Sequence, residues 1–360
     1  MGKRPPAQQE RLIQALRMIA PGTLIRDAID NIVRARTGAL LVFANEARIR
    51  PMISGGIDID VALSPMILYE LCKMDGAILL DEAGTHILHA NVQLMPDASI
   101  ESQETGTRHR TAERVAKQID SLAISISAAR DVVTVYIGDI RYIMDPIRTI
   151  LDKADQALRT LEKFRARFDE VSTSLSLLEY QDAVTLYDVL SVLQRAEMML
   201  VIVQMIEGHI IQLGTEGRLV ELQLEEMLVN VREERDAVLT DYLSDSSPQK
   251  VQCAKDALAA IPSDDLLSLS NVGAAIGCGP EAEPLDKHMR PRGYRMLRKI
   301  PRLNEPVVQT VVSHFGDLKG IVDAPLEDLA ALEHVGILRA RDIKEGLVRI
   351  HELSLLERRG

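Results

Sequence analysis

The sequence predicts an α/β N-terminal domain with a mixed sheet flanked by helices, followed by an all-α helical spine and a C-terminal domain of short helices. Residues 1–145 combine helical periodicity with short apolar runs of strand length. Residues 146–286 carry apolar side chains in steps of three and four, with almost no Gly or Pro before Pro248. Residues 287–360 form helical stretches interrupted by Pro and Gly, so we place the domain boundaries near residues 145 and 286.

The bulk composition favours a cytoplasmic protein over a secreted or membrane protein. Hydrophobic residues make up 46% of the chain and aromatic residues only 3%, with no Trp, so the cores are aliphatic. Cys72, Cys253 and Cys278 are far apart and predict neither a disulfide framework nor a zinc module. Residues 1–17 lack the apolar stretch of a signal peptide, and the longest apolar run, residues 198–206, is too short to span a bilayer.

The N-terminal domain is predicted to interleave helices with short strands. The predicted helices are residues 8–20, 23–36, 64–73 and 111–122. The predicted strands are residues 38–43, 77–80, 123–127 and 132–137. Pro21-Gly22 separates the first two helices, and Ser64-Pro65 has the residue types of an N-cap followed by Pro at the first helical position.

The predicted spine consists of long helices with an acidic surface. One apolar stripe runs from residue 147 to about residue 178, and further helical patterns cover residues 182–213 and 217–243. Residues 151–285 hold 11 basic and 24 acidic residues, a net charge of −13. We interpret this region as a rigid spacer that can also mediate oligomerisation.

The C-terminal domain has the opposite charge balance. Residues 287–360 hold 14 basic and 10 acidic residues, a net charge of +4 in a chain whose total is −11. Seven basic residues occur there without an intervening acid: Lys287, Arg290, Arg292, Arg295, Arg298, Lys299 and Arg302. Such asymmetry between segments indicates a polyanionic partner that the whole-chain charge conceals.

A helical hairpin follows this basic run. Residues 326–332 predict a short helix, His334-Val335-Gly336 a tight turn, and residues 338–353 a second helix. The pattern resembles the helix-hairpin-helix DNA-binding motif, in which glycine and helix-opening amides approach a phosphate. His334 stands where that motif usually has its first Gly, and residues 300–316 resemble a degenerate first copy.

This resemblance implies DNA binding through the backbone, with a preference for branched or junction DNA, strong salt dependence and association with the nucleoid. The predicted DNA-contacting residues are Val335, Gly336, Ile337, Arg339, Arg341, Lys344, Arg298, Lys299 and Arg302. The alternative is a helical hairpin used only for packing.

Two short strings in the N-terminal domain are candidates for phosphate chemistry. Neither a G-x-x-x-x-G-K-[ST] loop nor a G-x-G-x-x-G turn after a strand occurs. Asp75-Gly76-Ala77 places a carboxylate and a glycine just before a predicted strand. Residues 107–111, Thr-Arg-His-Arg-Thr, open a predicted helix and form an anion site on electrostatic grounds. Taken singly, the first string is a common turn and the second a common solvated loop.

In combination, the strings resemble a known family. Residues 38–42, Asp75-Gly76-Ala77 and residues 106–110, in this order, resemble the diadenylate cyclase domain, and the spine and hairpin module extend the resemblance over essentially the whole chain. The resemblance implies condensation of two ATP into cyclic di-AMP and two pyrophosphates, with Mg²⁺ or Mn²⁺ as cofactor. It implies catalytic roles for Asp75, Arg108, His109 and Arg110. It implies ATP contacts from Gly76, Leu94, Thr107, Arg108, His109, Arg110, Thr111, Ser127 and Arg130, and metal contacts from Asp75 and His109.

The symmetry of the product adds an expectation. Cyclic di-AMP is a two-fold ring, so two cyclase domains must face each other, each supplying half a site. The family resemblance implies a homo-octamer. Two alternatives remain from the sequence: a non-enzymatic scaffold for DNA junctions with a relic nucleotide site, and an ATP-using nucleotidyltransferase with a different acceptor.

Overall fold

The computed structural model describes residues 6–128, 131–278 and 284–357. It divides into two compact units, one formed by Met1–Asp155 with Glu207–Glu221 and the other by Gln156–Ile206 with Leu222–Gly360. These units do not coincide with the three predicted domains, because the predicted spine is divided between them. The predicted C-terminal domain lies in the same unit as most of the spine.

The first unit contains a mixed sheet flanked by helices, as predicted. Its helices are α1 (Pro6–Met18), α2 (Leu24–Arg34), α3 (Glu46–Ile49), α4 (Pro65–Leu71) and α5 (Thr107–Ile119). Its strands are β1 (Ala39–Phe43), β2 (Ile53–Ser54), β3 (Ile57–Ala62), β4 (Ala77–Leu80), β5 (His86–Leu94), β6 (Leu122–Ser127), β7 (Val132–Ile137) and β8 (Ile140–Ile143). A short 3-10 turn, Arg50–Met52, follows α3.

The eight strands have the order β2-β5-β4-β1-β6-β7-β8, with β3 also paired to β5. β1 and β4 are parallel, while the other pairs are antiparallel. All four predicted strands are present. β2, β3, β5 and β8 were not predicted as strands, because they are short or alternate with polar residues at an outer part of the sheet.

β1 lies at the centre of the sheet and is buried on both faces. Leu41 and Phe43 belong to one apolar cluster, with side chains of α1, α2 and α4. Leu40 and Val42 belong to a second cluster, with side chains of α3 and α5. A strand covered by helices on both faces is apolar throughout, which is why its five residues were recognisable in the sequence.

The predicted start of α5 is wrong by one turn. The helix begins at Thr107 rather than Thr111, because Gly106 is the N-cap and the Arg110 amide already donates to the Gly106 carbonyl at 2.9 Å. The helix ends at Ile119, where Asp120 adopts a left-handed conformation. Residues 107–110 therefore lie inside the first turn of α5.

The long-helix prediction is confirmed for residues 147–178, which lie in α6 (Ile147–Tyr180). The helices after α6 are α7 (Leu186–Leu213), α8 (Arg218–Leu228), α9 (Val231–Tyr242), α10 (Pro248–Ala260) and α11 (Leu269–Ala275). The helical pattern predicted at residues 217–243 is present as two helices, because Asn230 takes a positive φ of 64° and separates α8 from α9.

By length and composition alone, Leu186–Tyr242 reaches the apolar content of a membrane-spanning helix. More than half of its most apolar window is buried inside the protein, and the core helix of a folded domain passes the same test.

Five further helices form the C-terminal part of the second unit. They are α12 (Tyr294–Arg298), α13 (Glu305–Phe315), α14 (Leu318–Asp323), α15 (Leu326–Ala330) and α16 (Gly336–Glu357). Their apolar cluster includes Val308, Ile321, Ala340 and Ile343. The helix pair predicted around residues 334–336 is present as α15 and α16, and α16 starts at the turn itself.

Candidate functional site

The candidate site lies at the end of the sheet where the two parallel central strands, β1 and β4, begin. This end of the sheet is called the edge below. Gly38 precedes β1 and Gly76 precedes β4. Ala39 pairs with Ile126, so the end of β6 lies beside the start of β1. This edge therefore brings together residues that are far apart in the sequence.

Gly38 provides the space in which the guanidinium group of Arg108 lies. A Cβ atom at position 38 would be 2.1 Å from Arg108 Nη1 and 3.2 Å from the Ile126 carbonyl oxygen. On the other side, Arg108 Nη2 lies 4.0 Å from Asp75 Oδ1. The Arg108 side chain is 40% exposed and the Asp75 carboxylate is fully exposed, so both charges are accessible to a ligand.

Gly76 is required by the packing of its turn against β5. A Cβ atom there would be 2.2 Å from the Asn91 carbonyl carbon and 2.5 Å from the Val92 nitrogen. Asn91 itself has a positive φ of 53°, at an irregularity in the pairing of β4 with β5. The backbone that carries Asp75 is thus fixed, although the carboxylate is exposed.

Cys72, next to this site, has no reactive character. Burial raises the pKa of its thiol to about 12, although the nearby charge of Arg108 opposes the shift. A neutral, buried thiol acts as a small apolar side chain.

The first turn of α5 concentrates positive electrostatic potential at the site. It contains no acidic residue, and its opening amides have no side-chain cap. Arg110 is held by its own preceding loop, because Nε donates to the Glu104 carbonyl at 3.3 Å and Nη2 to the Thr105 carbonyl at 3.4 Å. Thr107 is exposed and Thr111 half-buried. Two guanidinium groups and a helix N-terminus together favour a polyphosphate.

His109 contacts a chain of hydrogen-bonded side chains that runs through the buried Tyr136. Its Nδ1 lies 3.0 Å from the hydroxyl of Tyr136, and this hydroxyl donates to Glu104 Oε1 at 2.8 Å. Arg141 Nε donates to the same carboxylate oxygen at 2.5 Å. Burial raises the pKa of Glu104, but the bonds from Tyr136 and Arg141 outweigh this effect and leave its pKa below the ordinary value.

Glu104, Tyr136 and Arg141 were not predicted as residues of the site. Tyr136 was recognised only as part of an apolar strand, in which it is 1% exposed. The one available signal was its hydroxyl, since a buried tyrosine requires a hydrogen-bond partner. The identity of that partner, 32 residues away, depends on the fold.

The loop that precedes α5 is attached along the length of that helix. Glu113 accepts from Ser102 at 2.5 Å and from the Gln103 amide at 3.2 Å. One turn further along, Lys117 donates to the Glu101 carbonyl at 3.0 Å and to Glu113 at 2.8 Å. The loop is therefore an ordered support for the first turn of α5.

The remaining predicted nucleotide contacts occupy different environments. Leu94 is 7% exposed, and its side chain belongs to the apolar cluster under α5. Ser127 is the last residue of β6 and is half-buried near the Gly38 edge. Arg130 lies outside the described residues.

The hairpin turn has a backbone that suits close approach to a phosphate. His334 and Gly336 both have a φ of 64°, so His334 adopts the left-handed conformation that the motif usually reserves for glycine. Val335 is buried, and α16 opens without an acid in its first turn. Arg339 folds back and donates to the His334 carbonyl at 2.5 Å.

The degenerate first copy is less suited to an anion. Arg302 also has a positive φ, of 70°, and is exposed. However, α13 opens with Glu305 and Pro306, and its N-cap Asn304 accepts from the Val307 amide. An acid and an occupied amide both oppose phosphate binding at that helix start.

Most of the basic run before the hairpin is engaged within the protein. Arg295 is fully buried against Glu179 and Glu234. Arg298 pairs with Glu305, and Lys299 donates to Glu234 at 3.0 Å.

Two further basic side chains cap backbone carbonyls. Arg292 donates to the carbonyls of Thr240, Asp241 and Ser244. Lys344, which was predicted to contact DNA, donates to the carbonyls of Ile321 at 3.2 Å and Val322 at 2.6 Å. Burial lowers the pKa of Lys344. Of the predicted basic contacts, Arg302 and Arg341 are exposed and carry no such bond among the described residues.

Comparison with protein families identifies the two main regions. Residues 26–140 match the model of the DisA bacterial checkpoint controller nucleotide-binding region. Residues 144–285 match the model of the DisA bacterial checkpoint controller linker region. Together with the site described above, the nucleotide-binding match makes this chain a diadenylate cyclase, a nucleotidyltransferase.

Whole-length relatives define the family more closely. The DNA integrity scanning protein DisA of Acidothermus cellulolyticus is 46% identical over 352 residues, which cover 97% of this chain and 95% of the relative. That of Carboxydothermus hydrogenoformans is 47% identical over 346 residues, covering 96% and 98%. The chain belongs to the DNA integrity scanning protein DisA family, with its checkpoint role and nucleotide substrate.

Among solved structures, a double mutant of DacA from Staphylococcus aureus covers 39% of this chain and 90% of that chain, with 26% identity and a TM-score of 0.30. A likeness at this score supports no inference about this protein.

Proposed function

We propose that the edge formed by Asp75, Gly76 and Arg108 is one half of the cyclase centre. In this proposal, the 3′-hydroxyl of each ATP attacks the α-phosphorus of the other, and each step releases pyrophosphate. The observation that carries the assignment is the guanidinium of Arg108, seated over Gly38 and 4.0 Å from Asp75, with both side chains accessible.

The side chains have distinct roles in this scheme. Arg108 and Arg110 neutralise the triphosphate and the charge that develops on the leaving pyrophosphate. Thr107 and Thr111 donate hydroxyl or amide hydrogen bonds to phosphate oxygens, and Gly76 allows the nucleotide to approach the backbone. Ser127 and Arg130 are proposed as further contacts at the same edge, and Leu94 as a contact through its backbone.

A divalent cation fits the donor set in a limited way. Among residues 6–128, 131–278 and 284–357, no group of three or more His, Cys, Asp or Glu is arranged to hold a metal ion. Mg²⁺ is commonly held by one or two carboxylates together with substrate phosphates, so Asp75 suffices when ATP supplies the other oxygens. Mg²⁺ or Mn²⁺ bound there would make the attacking hydroxyl more acidic.

The two-fold product requires two such half-sites. We propose face-to-face pairing of the nucleotide-binding regions of two chains, within an octamer. The Asp75 and Arg108 side chains are exposed in the single chain, which is the condition that such a pairing needs.

The cyclase assignment is tested by incubating the protein with ATP and Mg²⁺ or Mn²⁺ and separating the nucleotides by chromatography. Cyclic di-AMP is the expected product, and Asp75→Asn should abolish its formation while ATP binding persists. Asp139→Asn, an exposed carboxylate in the β7–β8 turn, is the matched control and should remain active. Linear products only, or an active Asp75→Asn variant, would refute the assignment.

We propose further that the turn at His334, Val335 and Gly336 contacts the phosphates of branched DNA. The left-handed conformations of His334 and Gly336 and the absence of an acid from the first turn of the 22-residue helix α16 support this proposal. Ile337, Arg339 and Arg341 follow the turn directly. In this proposal DNA binding lowers cyclase activity, and the protein associates with the nucleoid.

Point substitution is the appropriate test, because deleting residues 287–360 would leave Glu179 and Glu234 without Arg295. Arg341→Ala should weaken junction binding and reduce the slope of log K against log salt by about 1. Arg349→Ala, exposed two turns further along α16, is the control. Equal slopes for all three proteins would exclude Arg341 as a phosphate contact.

A further inference from the structure

The hydrogen bonds around His109 have a direction that the charges at their far end determine. Glu104 Oε1 accepts from Arg141 Nε at 2.5 Å and lies 2.8 Å from the Tyr136 hydroxyl oxygen. Arg141 is a permanent cation, so the carboxylate beside it is ionised and has no hydrogen to donate. The Tyr136 hydroxyl must therefore be the donor in its contact with Glu104.

A tyrosine hydroxyl carries a single hydrogen. Because Tyr136 gives this hydrogen to Glu104, its oxygen can only accept in the 3.0 Å contact with His109 Nδ1. His109 therefore carries a hydrogen on Nδ1. Tyr136 is 1% exposed, so solvent does not compete for its hydroxyl group.

We propose that Glu104 and Tyr136 are positioning residues that fix the His109 ring with its hydrogen on Nδ1. The proposal rests on the assignment of the cyclase site made above. In the neutral ring, Nε2 is then a lone-pair nitrogen. It can bind a cation or accept from a hydroxyl group, but it cannot donate to a phosphate oxygen. Of the two roles open to His109, metal ligand or phosphate ligand, the neutral ring with its hydrogen on Nδ1 is suited to the first.

The arrangement also divides the work within the first turn of α5. The arginines on either side of His109 and the opening amides are donors only, and they suit phosphate oxygens. His109 supplies the acceptor that these groups lack. Glu104 positions both kinds of group. Its carboxylate accepts from Tyr136, which orients His109, and its backbone carbonyl accepts from Arg110 at 3.3 Å.

The position of the hydrogen can be measured independently of activity. Magic-angle-spinning spectra of protein labelled with ¹⁵N-histidine distinguish protonated from unprotonated ring nitrogens, and His109→Asn identifies the signal. The wild type should show the hydrogen on Nδ1 and an unprotonated Nε2. Tyr136→Phe removes the acceptor, and Glu104→Met releases the tyrosine hydrogen, so both variants should populate the other tautomer. A wild-type hydrogen on Nε2 would overturn the proposal.

Kinetics provide the second measurement. Residues that orient a ligating histidine typically change activity by about 10–100-fold when they are replaced, so Tyr136→Phe should lower kcat to that extent with little change in KM. Tyr142→Phe, which removes another tyrosine hydroxyl from the same unit, should retain kcat. A Tyr136→Phe variant with wild-type kcat would overturn the positioning role. A wild type that makes no cyclic di-AMP would instead refute the cyclase site, and the spectra would still report the tautomer.

Discussion

Arg108 and Arg295 occupy equivalent positions at the start of a helix and have opposite environments. Each is the second residue of a helix whose N-cap is a glycine, Gly106 for α5 and Gly293 for α12. Arg108 is 40% exposed and meets one carboxylate, at 4.0 Å. Arg295 is 0% exposed and lies against the carboxylates of Glu179 and Glu234.

Arg295 is the centre of a buried polar network. Its Nη2 donates to the Ser172 carbonyl at 2.7 Å and to Ser176 Oγ at 3.0 Å. The backbone around it is also held, since Asp241 accepts from the amides of Gly293 at 3.0 Å, Tyr294 at 2.8 Å and Arg295 at 2.9 Å. These bonds join α12 to α6 and α9.

The difference shows what decides the role of an arginine. A buried guanidinium that is neutralised by carboxylates fixes the packing of helices. An exposed guanidinium with one carboxylate, 4.0 Å away, remains available to a phosphate. The partners that make this difference for Arg295 are 116 and 61 residues away in the sequence. The run before the hairpin therefore includes basic side chains that are already paired within the protein.

Replacing Arg295 tests the structural half of the comparison and should have the largest effect. Arg295→Met leaves the buried carboxylate of Glu179 without its guanidinium partner and Glu234 with Lys299 alone, which costs about 3–5 kcal/mol of unfolding free energy. The exposed pair of Arg298 with Glu305 is the control, since Arg298→Met should cost less than about 1 kcal/mol. Urea denaturation measures both. Equal losses in the two variants would mean that burial does not distinguish these arginines.

Filling the space above Gly38, the slot in which the Arg108 guanidinium lies, tests the functional half of the comparison. Gly38→Ala places a methyl group 2.1 Å from Arg108 Nη1, so the guanidinium must move. Displacement of a positioning group by about 1 Å can cost about 100-fold in rate, and we expect a loss of that size in cyclic di-AMP synthesis with the unfolding free energy retained. Gly208→Ala in α7, where nothing lies within 4 Å, should retain activity. An active Gly38→Ala variant would show that Arg108 need not occupy the slot.

The smallest expected effect is on acid sensitivity, which should be greater for the buried network around Arg295 than for an exposed ion pair. Burial raises the pKa of Glu234, but the charges of Arg295 and Lys299 outweigh it and lower that pKa to about 2, from 4.5. Because the folded-state pKa is depressed, this stabilisation is present above pH 4.5 and is lost as the pH falls toward 2.

Between pH 5 and pH 3, the wild type should therefore lose about 2 kcal/mol more unfolding free energy than Glu234→Gln. Urea titrations at the two pH values measure the difference. Glu305→Gln, which alters the exposed pair, should follow the wild type. A Glu234→Gln variant with the full wild-type acid sensitivity would contradict the assigned role of Glu234.

The strands and helices that the sequence predicted well share strong local signals. β1, β4, β6 and β7 are nearly continuous apolar runs because they are covered on both faces, and α6 has a regular apolar stripe. The predicted start of α5 was wrong because its residues carry both loop-like and helical signals. Thr107–Arg110 resemble a polar loop, yet an N-cap glycine and an anchored preceding loop make them helical.

The site was predictable in its residue types and not in its geometry. Asp75-Gly76-Ala77 and Arg108-His109-Arg110 could be recognised as strings, and Gly38 was part of the pattern. Their convergence requires β1 and β4 to be parallel neighbours, which brings Gly38 and Gly76 to one edge. Glu104, Tyr136 and Arg141 carry no pattern at all, because hydrogen-bond partners across a fold have no fixed spacing.

The sequence by itself determined the family, the order of the regions and the residue types of the candidate nucleotide site. These features depend on local periodicity and on short sequence strings. Only the tertiary structure decided which charges remain available. Burial and a partner's approach depend on residues far away in the chain, and they turned Arg295 into a packing element while leaving Arg108 exposed beside Asp75. The same long-range contacts gave His109 its hydrogen-bond direction, which no local sequence can specify.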